Sequence, residues 1–247
     1  AWFRLADRDI GTHLLRRDLL DQGKTLTEAT ATLCRSLGIR CAVLPMTDDP
    51  VRTRVLTPEG ELEFQDYFVA RRAEVAITGL RFDGIESARP TDRVLEAVAS
   101  ARAVVFCPSN PLVSLGPILA LPGMAEALRS SPGPKAAVSP IVGGRALKGP
   151  AAKMMRELGE APSASSVARR YVDLLDAFVL DEVDRSESEV IEKMGLRVLV
   201  TNTIMNTLED KTRLAREVLD FLAEVASARA RHAPPPPPPT DQEAASG

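Results

Sequence analysis

Ala103-Val104-Val105-Phe106-Cys107-Pro108-Ser109-Asn110-Pro111 is the stretch that decides the fold class, because a short run of β-prone apolar residues stops at a turn of Pro, Ser and Asn. Its counterpart is Ala136-Ala137-Val138 running into Ser139-Pro140-Ile141-Val142-Gly143-Gly144. Each reads as a parallel strand that hands a loop to its carboxyl end, and in open α/β sheets ligands bind outside those ends. Downstream, the runs at 177–180 and 197–200 repeat the pattern with helical spacing between them. Strands alternating with helices imply parallel pairing through crossovers. A last helix begins near Thr207, whose Thr-x-x-Asp spacing to Asp210 makes a capping box, and carries apolar residues at Leu214, Val218, Leu219, Leu222 and Val225.

Upstream the periodicity changes twice. Residues 7–38 are helical, with Leu14, Leu15, Leu19 and Leu20 on one side, a capping box at Thr25-Leu26-Thr27-Glu28 and a stop at Gly38. From Cys41 the pattern is strand-like: Cys41-Ala42-Val43-Leu44, then 52–57, a Pro58-Glu59-Gly60 turn, and 61–69. The expected fold is a Rossmann-like α/β parallel core with a helical and β-hairpin lobe. The expected organisation is one α/β domain over 1–230: a helical segment at 1–40, a strand-and-hairpin lobe at 41–93 and the parallel βα core at 94–230. Residues 231–247, with prolines at 234–239, form a disordered low-complexity tail, a reading favoured over an SH3-type ligand.

Composition bounds the chemistry. A chain of 247 residues that is 45% hydrophobic can bury a sizeable core, and its net charge of -3 supplies no basic field for nucleic acid or an anionic membrane. Any anionic ligand must be held by local groups. Cys34, Cys41 and Cys107 are odd in number and lack CxxC spacing, which argues against a zinc site or a disulfide framework and for a cytoplasmic protein. With only His13 and His232 present, a His-rich metal site is excluded, and a metal would be a hard, oxygen-ligated one such as magnesium. No apolar stretch reaches membrane-span length, and no targeting pattern opens the chain.

The strand ends carry the candidate chemistry. Gly143 and Gly144, followed by Arg145, Lys148-Gly149-Pro150 and the start of a helix, make a phosphate cradle, although not a Walker-type one; a tight turn with solvated basic residues is an equally good reading. Ser109 and Asn110 offer a hydroxyl and an amide to phosphate or ribose oxygens, against the commoner alternative of an Asx turn that satisfies its own backbone. Ser109 is a poor candidate nucleophile, since Gly-x-Ser-x-Gly is absent. Asp48 and Asp49, in Leu44-Pro45-Met46-Thr47-Asp48-Asp49-Pro50, could hold magnesium or accept a proton; alone, Asp-Asp-Pro reads as a turn. Arg4, Asp7, Arg8 and Asp9 ahead of His13 form either a polar site wall or a salt-bridged helix start.

Taken together, these segments resemble one family. Trp2-Phe3-Arg4-Leu5-Ala6-Asp7-Arg8-Asp9 with Thr12-His13-Leu14, the 44–51 segment, Phe64-Gln65-Asp66-Tyr67-Phe68-Val69, Cys107-Pro108-Ser109-Asn110-Pro111 with Ser114-Leu115-Gly116-Pro117-Ile118-Leu119, and 139–144 with Lys148-Gly149-Pro150-Ala151 resemble the 2-phospho-L-lactate transferases of deazaflavin coenzyme F-420 biosynthesis. The resemblance covers roughly residues 2 to 227. It implies transfer of a 2-phospholactate or enolpyruvyl-phosphate unit from a guanosine diphosphate conjugate to the terminal ribityl hydroxyl of deazaflavin Fo, with release of GMP and assistance from magnesium, by a Rossmann-like homodimer. On that resemblance Asp48 and Asp49 lie by the metal or the attacking hydroxyl. Ser109 and Asn110 contact substrate, Gly143, Gly144 and Lys148 flank the nucleotide phosphates, Arg4, Asp7 and Arg8 border the Fo pocket, and His13 is a further substrate-binding residue.

Two departures from the family pattern set expectations. The family's opening strand and glycine-rich loop have no counterpart in this sequence, so the first βα unit is missing and the 247-residue chain alone is expected to be inactive or nearly so. Ala6 stands where the family usually has Gly. The rival readings are a non-catalytic regulator of the same superfamily that binds a nucleotide sugar or dinucleotide, and an α/β domain in which all these turns are structural.

Overall fold

The structure is a computed structural model that describes residues 5–232. It opens with two helices, α1 (Asp7–Asp21) and α2 (Leu26–Ser36). An antiparallel sheet of β1 (Arg52–Thr57), β2 (Gly60–Glu63) and β3 (Gly79–Asp83) follows in the order β2-β1-β3. Helix α3 (Asp92–Ala99) leads into β4 (Val104–Phe106), and α4 (Leu115–Ala120) and α5 (Met124–Ser130) lead into β5 (Lys135–Val138). A small hairpin, β6 (Ile141–Val142) and β7 (Arg145–Ala146), precedes α6 (Ala151–Glu157) and α7 (Ala164–Tyr171). The chain closes with β8 (Ala177–Leu180), α8 (Ser188–Glu192), β9 (Arg197–Val200) and α9 (Leu208–His232). Strands β4, β5, β8 and β9 form one parallel sheet in that order.

The period of two along a strand sorts the sheet into two packed faces. Ala136, Val138, Ala177 and Val179 meet Leu214, Val218, Phe221, Leu222 and Val225 of α9. Their alternates, Ala137, Phe178 and Leu180, point the other way, into a larger core with Met154 and Met155 of α6, Val167 and Tyr171 of α7 and Ile191 of α8. Because β5 and β8 are covered on both sides, all four residues of each are buried, and apart from Lys135 they are apolar, as interior parallel strands require. All four strands therefore deliver their following loops to one edge.

The helix signals in the sequence are realised. Thr25 caps α2, accepting from Glu28 N at 3.2 Å while Glu28 returns a bond to Thr25 N, and Gly38 sits just past its end at φ +68. Thr207 and Asp210 form the same reciprocal box at α9, which continues through Arg231 and His232, two residues the sequence assigns to the tail. Arg4 and residues 233–247 lie outside the described residues.

Two strand expectations fail. Residues 41–44 form no strand, because no other described segment offers them a backbone ladder; an apolar run becomes a strand only with a partner. The second hairpin strand ends at Glu63 instead of continuing to residue 69, and 66–70 coil into a single π-helical turn that buries Tyr67. Helix α1 forms where expected but buries none of its residues, and Leu14 is 66% exposed.

Candidate functional site

A cleft of about 690 Å3 opens at the carboxyl edge of the parallel sheet. Pro108, Ser109, Asn110, Val113 and Ser114 come from the loop after β4, and Ser139 and Pro140 from the end of β5. Residues 146–151, including Lys148, come from the approach to α6, and Thr203, Ile204, Met205, Asn206 and Lys211 from the passage between β9 and α9. Phe64 and Phe68 close one side, their rings stacked at 5.6 Å and 11°. The lining holds two lysines and no carboxylate, although the chain as a whole is acidic. Such a lining receives an anion, while its aromatic and aliphatic members accept an apolar or planar part of the same ligand.

Local hydrogen bonds explain why each wall stands where it does. Asn110 Oδ1 accepts from Leu112 N at 2.9 Å and Val113 N at 3.4 Å, an Asx turn, and its amide nitrogen lies 3.6 Å from Met154 Sδ. The buried Ser139 hydroxyl donates to Ile141 O at 2.8 Å and accepts from Ile141 N, folding the chain back after β5. Gly143 and Gly144 then make a two-residue hairpin turn with φ +56 and +72, a left-handed pairing that glycine adopts without strain. Gly143 N donates to both carboxylate oxygens of Asp184 at 3.0 Å. Burial holds the Asp184 carboxyl above its usual range, opposed by that backbone bond.

The β9–α9 passage is fixed from two sides. Buried Asp181, the first residue after β8, accepts from Thr203 N at 2.7 Å, Thr203 Oγ1 at 3.1 Å and Val183 N at 3.1 Å. On the helix side Glu217 accepts from Thr201 Oγ1 and from Arg213, whose guanidinium also donates to Asn202 O at 2.7 Å. The Thr201 bond holds the Glu217 carboxyl below its usual range, with Arg213 adding to the effect. Asp210 accepts from Thr207 N at 2.8 Å and Asn206 N at 3.0 Å, and these bonds, Thr207 foremost, lower its pKa as well.

The structure gathers some of the sequence candidates and separates others. Ser109, Asn110 and Lys148 line one cleft. Gly143 and Gly144 do not line it; they form the β6–β7 turn, and the Gly143 N–H is taken by Asp184. Asp48 and Asp49 are also outside the lining. Asp48 Oδ1 accepts from Thr27 N at 2.6 Å in the first turn of α2, and Asp49 Oδ2 from Arg89 N at 3.0 Å and Thr47 Oγ1 at 3.3 Å, so the pair acts as the turn that ties α2 and the start of α3 to the 41–51 segment. Asp7, Arg8 and His13 lie on exposed α1, where His13 Nδ1 meets Arg16 at 2.8 Å. Among the described residues no group of three or more His, Cys, Asp or Glu side chains could hold a metal ion.

Several lining residues carry no role in the sequence reading: Phe64, Phe68, Thr203, Ile204, Met205, Asn206 and Lys211. A signal was available for the last five. The run 197–200 ends in Thr-Asn-Thr just as the strands at 104–106 and 135–138 end in polar turns, and the rule that points to those loops points equally to this one. For the two phenylalanines only the three-dimensional arrangement shows the use, because Phe64 and Phe68 come together across the turn that replaces the expected strand.

Fold and cleft define a class: a parallel α/β protein with a cationic ligand cleft at the carboxyl edge of its sheet. A family profile described as 2-phospho-L-lactate transferase CofD matches residues 1–221. The chain is 39% identical over 216 residues to a 2-phospho-L-lactate transferase of Methanosarcina mazei, covering 87% of this chain and 71% of that protein. A second from Methanococcoides burtonii is 41% identical over 221 residues, 90% and 72% of the two chains, and a phosphoenolpyruvate transferase of Streptomyces griseus is 39% identical over 230 residues, 91% and 72%. A crystal structure of a Bacillus halodurans protein, BH3568, shares the fold with a TM-score of 0.65 at 14% identity, covering 89% of this chain and 76% of that one. This chain belongs to the 2-phospho-L-lactate transferase family and is a transferase. No helix among the described residues is long and apolar enough to cross a membrane.

Proposed function

We propose that the chain transfers a 2-phospholactate or enolpyruvyl-phosphate unit from a guanosine diphosphate conjugate to the ribityl hydroxyl of deazaflavin Fo, releasing GMP. The observation that carries this reading is the cleft itself: two lysines without an opposing carboxylate, Ser and Asn donors, and a stacked phenylalanine pair in one lining. The lysines suit the diphosphate, and the aromatic pair suits the flat ring of deazaflavin or guanine.

The chemistry is in-line displacement at phosphorus. The acceptor hydroxyl oxygen bonds to the phosphorus bearing the lactyl or enolpyruvyl group, the bridging P–O bond breaks, GMP leaves with its electron pair, and the hydroxyl proton passes to solvent. The lining residues contribute orientation and charge neutralisation: Lys148 toward the phosphates, Ser109 and the Asn110 amide toward phosphoryl or ribose oxygens. Magnesium belongs to the family resemblance. Asp48 and Asp49 each commit one carboxylate oxygen to a backbone N–H and keep the other for such an ion, whose remaining positions the donor phosphates and water would fill, and no step is routed through it. A homodimer in the cytoplasm is the proposed setting.

GMP release that depends on both Fo and the conjugate tests the reading. The protein is expected to release GMP stoichiometrically with Fo consumed. Binding of GDP and Fo without any GMP release would instead establish the non-catalytic regulator.

A further inference from the structure

We infer that Lys211 is a second phosphate-binding residue of the cleft, holding the diphosphate of the donor together with Lys148 from a different element of the fold. The inference rests on the donor being a nucleoside diphosphate conjugate and adds to that reading the residue that carries half of the charge.

The partners of the six lysines single it out. Lys135 Nζ donates to Ser131 O and Gly133 O, Lys153 pairs with Glu157, and Lys193 pairs with Glu189. Lys24, Lys148 and Lys211 have no side-chain partner among the described residues, and two of these three line the same cleft. Two ammonium groups lining one cleft without a carboxylate favour an anion of two or more charges there. Neither lysine can be neutralised from within the lining, since no Asp or Glu belongs to it.

The mounting of Lys211 differs from that of a solvated surface lysine. It stands in the first turn of α9, where the helix dipole adds positive potential. Of its charged neighbours, Asp210 accepts from Thr207 N and Asn206 N, Arg213 bonds Glu217 and Asn202 O, and Glu209 stays outside the cleft lining. Those bonds, with Asp181 gripping Thr203, fix the backbone that presents Lys211 to the cleft. The neighbouring lining residues Asn206 and Thr203 come from the same passage.

The 247-residue chain contains both lysines, so binding can be read without turnover. GDP and guanosine are titrated calorimetrically into wild type, Lys211→Met and Lys211→Arg at several salt concentrations, with circular dichroism confirming helix content. A hydrogen bond to a charged group predicts GDP binding weaker by about tenfold or more in Lys211→Met, partly restored in Lys211→Arg. Guanosine binding should stay unchanged, and the salt dependence of GDP binding should become shallower. Equal GDP affinity and equal salt dependence in wild type and Lys211→Met overturn the inference while leaving the donor reading intact. Equal weakening for guanosine and GDP also overturns it, because Lys211 would then act on the nucleoside or the fold. Failure of wild type to bind GDP at all sinks the inference together with the donor assignment.

Discussion

At the scale of single residues, the division between cleft-facing and cleft-supporting side chains sets what a substitution should do. Asn110 does both: its Oδ1 organises the loop after β4, while its amide nitrogen, which gives one hydrogen to Met154 Sδ, keeps the other for a ligand. Asn110→Asp keeps the acceptor and replaces the amide donor by negative charge. The melting temperature should hold within about 2 °C while the KM for the anionic donor rises about tenfold or more; a KM unchanged against a normal melt would leave Asn110 a turn residue only. Asp181 supports without lining, and Asp181→Ala strands Thr203 N, Thr203 Oγ1 and Val183 N in a buried place. Urea unfolding should register a loss of about 2–4 kcal/mol. A loss below about 1 kcal/mol would show that water replaces the carboxylate.

At the scale of elements, what the sequence made legible followed from local chemistry, and what it hid depended on partners. The cap at Thr25, the cap at Thr207 and the paired polar strand ends are complete within a few residues, so they read correctly. The run Cys41-Ala42-Val43-Leu44 carries the same local signal as 135–138, and only the absence of a described ladder partner distinguishes the two. Asp48 and Asp49 read as a turn on their own sequence, but the N–H groups that the turn binds, Thr27 and Arg89, are 21 and 40 residues away and only the structure shows them. Helix α9 carries a pH consequence. Its Glu217 and Asp210 carboxyls are held below the unfolded values of 4.5 and 3.8, so they add stability above those values and lose it as pH falls toward their folded ones. Thermal melts from pH 7 down to pH 3 should show wild type losing stability faster than Glu217→Gln over the lowest interval; parallel curves would exclude the Thr201–Glu217–Arg213 network as a source of acid sensitivity. Gly84, which follows β3, has φ +83, and a Cβ there would collide with Pro50 O. Gly84→Ala should lower the melting temperature by about 5–10 °C.

At the scale of the whole molecule, burial is distributed unevenly, and that should be visible in solution. The parallel sheet is sandwiched between α9 and the α6–α7–α8 layer, and β5 and β8 have no exposed residue. The opening helices are different: α1 packs on α2 but has no buried side chain, and Ile10, Leu14, Leu15 and Leu20 remain exposed. The Leu14, Leu15, Leu19 and Leu20 pattern in the sequence predicts the helix correctly and, by the usual logic of amphipathicity, predicts a core that the described residues do not supply. Beyond packing on α2, little burial holds α1 in place, and the bond from Thr27 N to Asp48 that anchors α2 is a single one. Since most helical stability in proteins comes from packing an apolar face, α1 should open locally at a free energy far below that of global unfolding. Native-state hydrogen exchange followed by mass spectrometry should find peptides from 7–21 exchanging orders of magnitude faster than those from 135–138 and 177–180, with their rates unaffected by GDP because no residue of α1 lines the cleft. Protection of 7–21 equal to that of the sheet would overturn this and show the leucine face of α1 covered in solution.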